Sequence, residues 1–315
     1  MDKGLAFAAV ESALTIRRSD VEILVIDDFT TDGTWAQLSR LLDGGRARLL
    51  RNERNIGLFH NFNRCLDEAR GRYIRILCSD DVLEPGTLDM ELAAMERHPD
   101  MALLTTRGLR VTSKGEELGL QGVALPEGYY RGDRGIAAVL RANADTGYNS
   151  MNYPSGVLIR KSAADRAGRF RSDMRMSGDL EYFLRVMRHG ALGVLNRVGC
   201  RITVHVHQEG ARLSREPLVM EELFQLVHEF QPVLRRYGID SEVRRALAGL
   251  SAWQALRVAM GGAVRLSGGH LTVARRHGAG PREMVDGFSR LLVHRARWAL
   301  RGPSPPGDVR PDAVL

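Results

Sequence analysis

Cysteine is scarce in this sequence. The three present, Cys65, Cys78 and Cys200, are widely spaced and odd in number, which excludes a disulfide scaffold and a CxxC zinc site and suits a reducing compartment. Long apolar runs are missing too, so no transmembrane helix is expected. The opening apolar stretch, Leu5 to Val10, is short and is ended by Glu11, unlike a signal peptide. Gly (33) and Pro (11) are near average, which excludes collagen-like and low-complexity chains. Nor is the body basic. From Ser241 to Leu315 twelve Arg face five acids, and that excess of seven equals the whole net charge of +7, so the first 240 residues are neutral. This argues against a nucleic-acid partner and makes the tail a candidate for surface attachment. What is present is ordinary globular composition, 44% hydrophobic and 26% charged, over 315 residues. That length suits one large α/β unit or two domains.

The first hundred residues alternate. Leu5 to Ile16 carries a helical apolar face, and VEILVI (Val21 to Ile26) reads as a buried strand ending in Asp27-Asp28. FTTDGT supplies turn and cap residues before a helix from Trp35 to Leu42. Arg48 to Arg51 is a second strand. Asn55-Ile56-Gly57 is a turn, Leu58 to Ala69 a helix, and Tyr73 to Leu77 a third strand ending in Ser79-Asp80-Asp81. Pro85 opens a helix to Arg97, and Met101 to Thr105 is a fourth strand. The order predicts an α/β fold with a mostly parallel sheet flanked by helices. Ligands bind such sheets beyond the carboxyl ends of strands, where both acidic pairs stand.

Residues 106 to 150 are Gly-rich and irregular in pattern. Beyond them, Gly156 to Arg160 and Val194 to Val206 read as strands, and Ser162 to Ala167 and Asp179 to Arg188 as helices. After Ser214 the pattern is helical, with Gly-rich breaks at 261–262, 268–269 and 278–280. The expected organisation is 1–105 and 106–214 as the two halves of one domain, then 215–315 as a basic helical extension.

Adjacent carboxylates such as Asp80 and Asp81 repel each other unless a cation sits between them. Mg²⁺ or Mn²⁺, which takes carboxylate and phosphate oxygens together, is the natural one; a bare Asp-Asp pair in a solvated turn is the plainer alternative. Asp28 is placed to accept hydrogen bonds from a nucleotide base, or else Asp27 or Asp28 caps the following helix. Thr31, Asp32 and Thr34 fit turn and cap roles.

The ordered segments VEILVIDDFTTDGT, RNERNIGLFHNFN, ARGRYIRILCSDDVLEPGTL, YPSGVLIRKSAADRAGRF and SGDLEYFLR resemble the family-2 inverting glycosyltransferases of the GT-A fold. The resemblance covers residues 5 to 214, and it implies that 1–105 is the nucleotide-sugar half and 106–214 the acceptor half of one domain. It implies that Asp28, with Asp27 beside it, contacts the base of a nucleotide-sugar, and that Asn55 and Gly57 form the turn near the nucleotide. Asp80 lies by the ribose and diphosphate, and Asp81 holds the metal. It implies that Asp179 is the general base, drawing the proton from the acceptor hydroxyl. His207 completes the metal site, with Arg212 and Ser214 closing over the phosphates; His205 shares its strand face. Asn63 matches a helix asparagine. Arg185 is either a structural residue or a diphosphate contact. Three departures stand out. Cys78 replaces a further acid, Gly178 replaces a glutamate that often precedes the base, and the family's first, inner strand is missing. The last suggests that the true start lies upstream.

The leading expectation is a metal-dependent glycosyltransferase using a nucleotide-sugar donor and a glycan or lipid-linked acceptor, in the cytoplasm or at the inner face of the membrane. A non-catalytic nucleotide-sugar-binding relative, disabled by the missing strand, is the alternative. A nucleotidyltransferase would need a Gly-rich phosphate loop after its first strand, and the sequence has none. Between Arg282 and Arg301, Met284, Val285, Phe288, Leu291, Leu292, Trp298 and Ala299 fall on one side, with Arg290, Arg297 and Arg301 largely opposite. Such a helix either lies on an anionic bilayer or packs on the catalytic domain.

Overall fold

A computed structural model describes residues 3–122, 124–147, 149–205, 208, 213, 215–301 and 312, without the side chains of 3, 294, 295 and 297–301. The amino-terminal half follows the predicted alternation except that the third strand stops short at Arg75 and an unexpected strand begins at Asp81: α1 (Lys3–Leu14), β1 (Leu24–Asp27), α2 (Thr34–Leu41), β2 (Arg48–Arg51), α3 (Leu58–Glu68), β3 (Tyr73–Arg75), β4 (Asp81–Leu83), α4 (Thr87–Arg97) and β5 (Met101–Thr112). Then come β6 (Glu117–Gln121), β7 (Gly128–Tyr130), α5 (Asp133–Thr146), a 3₁₀ turn (Pro154–Gly156), β8 (Val157–Arg160), α6 (Lys161–Ala167), α7 (Gly178–Met187) and β9 (Ala191–Val204). The carboxyl-terminal helices are α8 (Leu218–Glu229), α9 (Gln231–Arg236), α10 (Asp240–Met260), α11 (Val264–Arg276) and α12 (Pro281–Arg301).

The expectation of a mostly parallel sheet is corrected. Among the described strands only β1–β2 and β5–β9 pair in parallel, and the central order β3-β8-β5-β9-β4 is otherwise antiparallel. β8 enters against β3 and β5, and β4 turns back against β9. An apolar run fixes that a strand is buried, not which way it points. The β1–β2 ladder is separate from the larger sheet. β1 pairs only with β2 and β3 only with β8 among the described residues, so each has a further edge with no strand on it. The side-chain amide of Asn61 instead reaches the carbonyl of Ile26 on β1 at 3.4 Å.

Strand alternation divides the core. Leu103 and Ile159 face one apolar cluster, and their neighbours Leu104 and Leu158 face the other. The larger cluster runs from Phe62 and Leu66 through α5 and α7 to Met284 and Leu291, so the carboxyl-terminal helices share it. Residues 106–150, expected to be irregular, contain the rest of β5, two more strands and α5. From Ile136 to Leu140 α5 is at most 2% exposed. A helix covered nearly all round carries no one-sided pattern, which hides it from periodicity. The break expected at Gly268-Gly269 is also absent, since α11 runs through it.

The last helix packs rather than standing free on the face expected to meet a bilayer. Met284 and Leu291 are buried, and Phe288 lies 6.0 Å from Trp253 of α10. Val285 and Leu292 remain exposed; Trp298 and Ala299 lie outside the described side chains. The contact is backbone against backbone. A Cβ on Gly249 of α10 would lie 2.0 Å from the carbonyl carbon of Gly287 in α12. Gly249→Ala should therefore force the helices apart and cost about 1–3 kcal/mol. Thermal melting checks this against Gly268→Ala, where a Cβ meets nothing within 4 Å; that change should leave stability unchanged or raise it.

Candidate active site

β3 ends at Arg75, and the chain crosses Ile76 to Asp80 before β4 begins at Asp81. Pairing of Asp81 with Ile202 pins the acid to β9. Its carboxylate is 3% exposed. One oxygen accepts the Ser155 hydroxyl at 2.6 Å and the other accepts the backbone N–H of Thr203 at 3.2 Å. Ser155 Oγ in turn accepts the backbone N–H of Cys78 at 2.9 Å. Its carbonyl accepts from Arg75, which is paired with the fully buried Glu91. The YPSG turn thus braces the acid pair from below. Asp80 stands more open, accepting from Gln208 Nε2 at 2.9 Å and lying 3.3 Å from His205 Nε2.

Burial first, and the charge of Asp80 second, push the Asp81 carboxyl up to about 7, against the two hydrogen bonds it accepts. A pair in this condition favours a cation between its members. The ligand atoms of Cys78, Asp80 and Asp81 lie within 4.8 Å of one another. The donor set fits a hard divalent cation through its two carboxylates. Burial and the surrounding carboxylates push the Cys78 thiol well up, so it stays protonated and is a poor ligand beside them. His207 lies outside the described residues, as do Arg212 and Ser214; among the described residues His205 is the histidine beside Asp80.

Asp179 sits in the first turn of α7, 9% exposed. One oxygen accepts the Leu180 N–H at 2.7 Å, and the other lies 3.4 Å from the Asn149 side-chain amide. Burial pushes its carboxyl up to about 7, the range a general base needs near neutral pH, and the charge of Glu222 adds to the rise. Two neighbours report that the acids converge. The Cys78 thiol is raised by Asp81, Asp80 and Asp179 after its burial. The Tyr153 hydroxyl is raised by burial and then by Asp179, Asp81 and Asp80, against Arg110. Tyr153 keeps 41% of its surface exposed at this spot.

At the end of β1, Asp28 is engaged by the chain itself. It accepts the backbone N–H groups of Ile56 and Gly57 at 2.8 and 2.9 Å and the Asn52 amide at 2.6 Å. It therefore shapes the Asn55-Ile56-Gly57 turn, where Gly57 adopts φ 85° and Asn55 is exposed. Asp27 is buried, accepts the Thr30 N–H and pairs with Arg51 at 3.1 Å, so its carboxylate is committed to the turn. Asp32 caps Thr34, as its sequence context suggests. Asn63 bonds the backbone of Phe170 in both directions, at 3.0 and 2.7 Å. Arg185 pairs with Glu181 at 2.6 Å and donates to the carbonyls of Ala167 and Arg169, which makes it a structural residue.

A glycine joins the two ends of the site. A Cβ on Gly178 would meet the Phe59 ring at 2.6 Å. Phe59 follows the turn held by Asp28, and Gly178 precedes Asp179. The departure from glutamate at 178 thus has a steric cause in this chain. Ser155 is the site residue that sequence reasoning missed. It lay within the quoted YPSG segment, but a lone serine carries no signal of its target.

The model of the family described as glycosyl transferase family 2 matches residues 8–167. This chain belongs to that family. It is 33% identical over 241 residues to the succinoglycan biosynthesis protein ExoO of Rhizobium meliloti, covering 74% of this chain and 65% of that one. The chain spans between 54% and 65% of the length of the first curated relatives it matches. Among solved structures, Staphylococcus aureus TarS 1-349 in complex with UDP-GlcNAc aligns with a TM-score of 0.55 at 17% identity, over 90% of this chain and 91% of that one. The mannosyltransferase PcManGT of Pyrobaculum calidifontis, in complex with GDP-Man and Mn²⁺, aligns at 0.53 and 15% identity, over 96% and 85%. The fold of this family-2 member is thus the GT-A glycosyltransferase fold.

A raised carboxyl pKa makes the folded state prefer the protonated form. The penalty for ionised Asp179 is absent below the ordinary carboxylate range, grows as pH rises, and is complete above about 7. Asp179→Asn should therefore raise the melting temperature at pH 8 by several degrees, with the gain shrinking towards pH 4. Melting curves of both proteins across that range check it.

Proposed function

We propose that this chain is a metal-dependent inverting glycosyltransferase, moving a hexosyl group from a nucleotide-sugar to a hydroxyl of a growing surface glycan or lipid-linked acceptor at the cytoplasmic face of the membrane. The reading rests on one observation above the others: the carboxylates of Asp80 and Asp81 lie within 4.8 Å of each other at a strand junction, with Asp81 buried, an arrangement suited to a divalent cation. The name of the succinoglycan relative supports the glycan acceptor.

In this mechanism Asp80 and Asp81 would hold Mg²⁺ or Mn²⁺, which would supply positive charge to offset that of a diphosphate leaving group. Asp28 and the Asn55–Gly57 turn form the nucleotide end. Asp179 takes the proton of the acceptor hydroxyl as its oxygen bonds to the anomeric carbon. The bond from that carbon to the diphosphate oxygen breaks on the opposite face, and the nucleoside diphosphate leaves. In-line attack inverts the anomeric configuration.

The partner surface of the carboxyl-terminal helices is an anionic bilayer. From Val243 to Arg282 the chain has seven Arg and no acid. The corner between α10 and α11 exposes Leu256 (45%), Met260 (81%), Val264 (71%) and Leu266 (38%) beside Arg257 and Arg265. Apolar side chains ringed by arginine match an anionic lipid surface. Among the described residues no helix is long and apolar enough to cross a membrane.

The donor test measures nucleotide release from UDP-glucose, UDP-N-acetylglucosamine and GDP-mannose with Mn²⁺, with and without chelator. Asp179→Asn should lower turnover about a hundred- to ten-thousandfold while leaving nucleoside diphosphate binding intact; Asp81→Asn should weaken Mn²⁺-dependent binding itself. Equal loss of binding and turnover in Asp179→Asn would remove Asp179 as the base. Nucleotide binding without turnover of any donor would favour the non-catalytic reading. For the surface, the wild-type chain should float with phosphatidylglycerol vesicles and not with phosphatidylcholine ones. The double change Met260→Asp with Val264→Asp should abolish flotation; retention of binding would exclude this corner.

A further inference from the structure

Glu222 lies on α8, outside the span matched by the family model, and is 3% exposed. Its carboxylate accepts three consecutive backbone N–H groups: Arg175 at 2.7 Å on one oxygen, Met176 at 3.0 Å and Ser177 at 2.7 Å on the other. Successive amides curled round one anion make a nest, a strong and directional anion site. The residue after this nest is Gly178, then Asp179. Ser177 contributes no side-chain cap to α7, so what orients the start of this helix from outside is the carboxylate of Glu222 together with Phe59 against Gly178.

We infer that Glu222 is a positioning residue for Asp179: a buried carboxylate from the carboxyl-terminal helices clamps segment 175–177 and thereby sets where the base stands. The helical extension then completes the catalytic end of the α/β unit instead of serving only as an outer surface. The inference rests on reading Asp179 as the general base. Among the described residues the charge that acts on that base is Glu222 from α8, while Asp80 and Asp81 from the acid turn and Arg110 from β5 act on Tyr153. Of these, Glu222 is the one tied by hydrogen bonds to the segment that carries Asp179.

The test needs no donor. Wild type, Glu222→Gln and Glu222→Asp are compared as full chains by amide hydrogen exchange over residues 173–182 and by ¹³C-carboxyl titration of Asp179, assigned with Asp179→Asn. Glu222→Gln keeps the size but puts an amide group against N–H donors and removes the negative charge. Exchange at 175–177 should rise at least about tenfold, and the Asp179 midpoint should fall from near 7 by about half a unit or more, because a like charge has gone. Glu222→Asp restores the charge on a shorter side chain, so the midpoint should return towards wild type while exchange at 175–177 stays raised. Unchanged exchange and an unchanged midpoint in Glu222→Gln would overturn the inference. If Glu222→Gln does not fold, Glu222→Asp decides by the same exchange measurement, and wild-type protection there would overturn it. Failure of Asp179 as base would appear separately, as undiminished nucleotide-sugar turnover in Asp179→Asn.

Discussion

Two neighbouring carboxylates at a strand junction, one of them almost wholly shut off from water, repel each other, and the middle of this protein is arranged to hold them there. Asp81 is pinned by β4 pairing to β9 and tied by the Ser155 hydroxyl and the Thr203 amide. Ser155 is itself anchored by Arg75, whose charge is balanced by buried Glu91. Burying an ion pair is costly, and its usual justification is geometric definition more than stability. Here it fixes the turn that fixes the acid. Remove the repulsion and the desolvation, and there is no reason for a cation to settle at this place.

The second constraint is steric. Asp28 organises the turn at Ile56-Gly57, Phe59 follows that turn, and Phe59 lies where any side chain at 178 would stand. The Ile56-Gly57 turn and the start of α7 are thereby coupled through a single aromatic ring. Phe59 also stacks on Phe170 at 5.8 Å, and Phe170 on Tyr182 of α7 at 3.9 Å. The helix that carries Asp179 is therefore packed from the same side as the turn that Asp28 shapes. Tightly packed interiors transmit such displacements, so a change at either end reaches the other.

The carboxyl-terminal helices join this scheme from the opposite side. Their apolar residues continue the main core through Met284 and Leu291, and α10 and α12 touch at Gly249 and Gly287 closely enough to exclude a methyl group. A stretch that reads in sequence as a basic amphipathic appendage is thus part of the folding unit. Its exposed apolar residues include the α10–α11 corner as well as Val285 and Leu292 on the stripe that periodicity selects.

Local patterning by itself determined the alternation of strands and helices up to Thr105 (apart from the short β4), the ends of β2, and the acid pair Asp27-Asp28 at the end of β1, because β-branched runs, caps and glycine stops act within a few residues. It also determined that Asp179 opens a helix. Strand direction, the separation of β1–β2 from the larger sheet, and the helix within residues 106–150 were decided by tertiary structure, since burial on all sides erases the periodic signal. The same holds for His205 beside Asp80, for Ser155 beneath Asp81 and for Glu222 behind Asp179. Each of these acts across a long stretch of chain, and a hydrogen bond between distant residues leaves no trace in local spacing; only the folded backbone brings its two ends within reach.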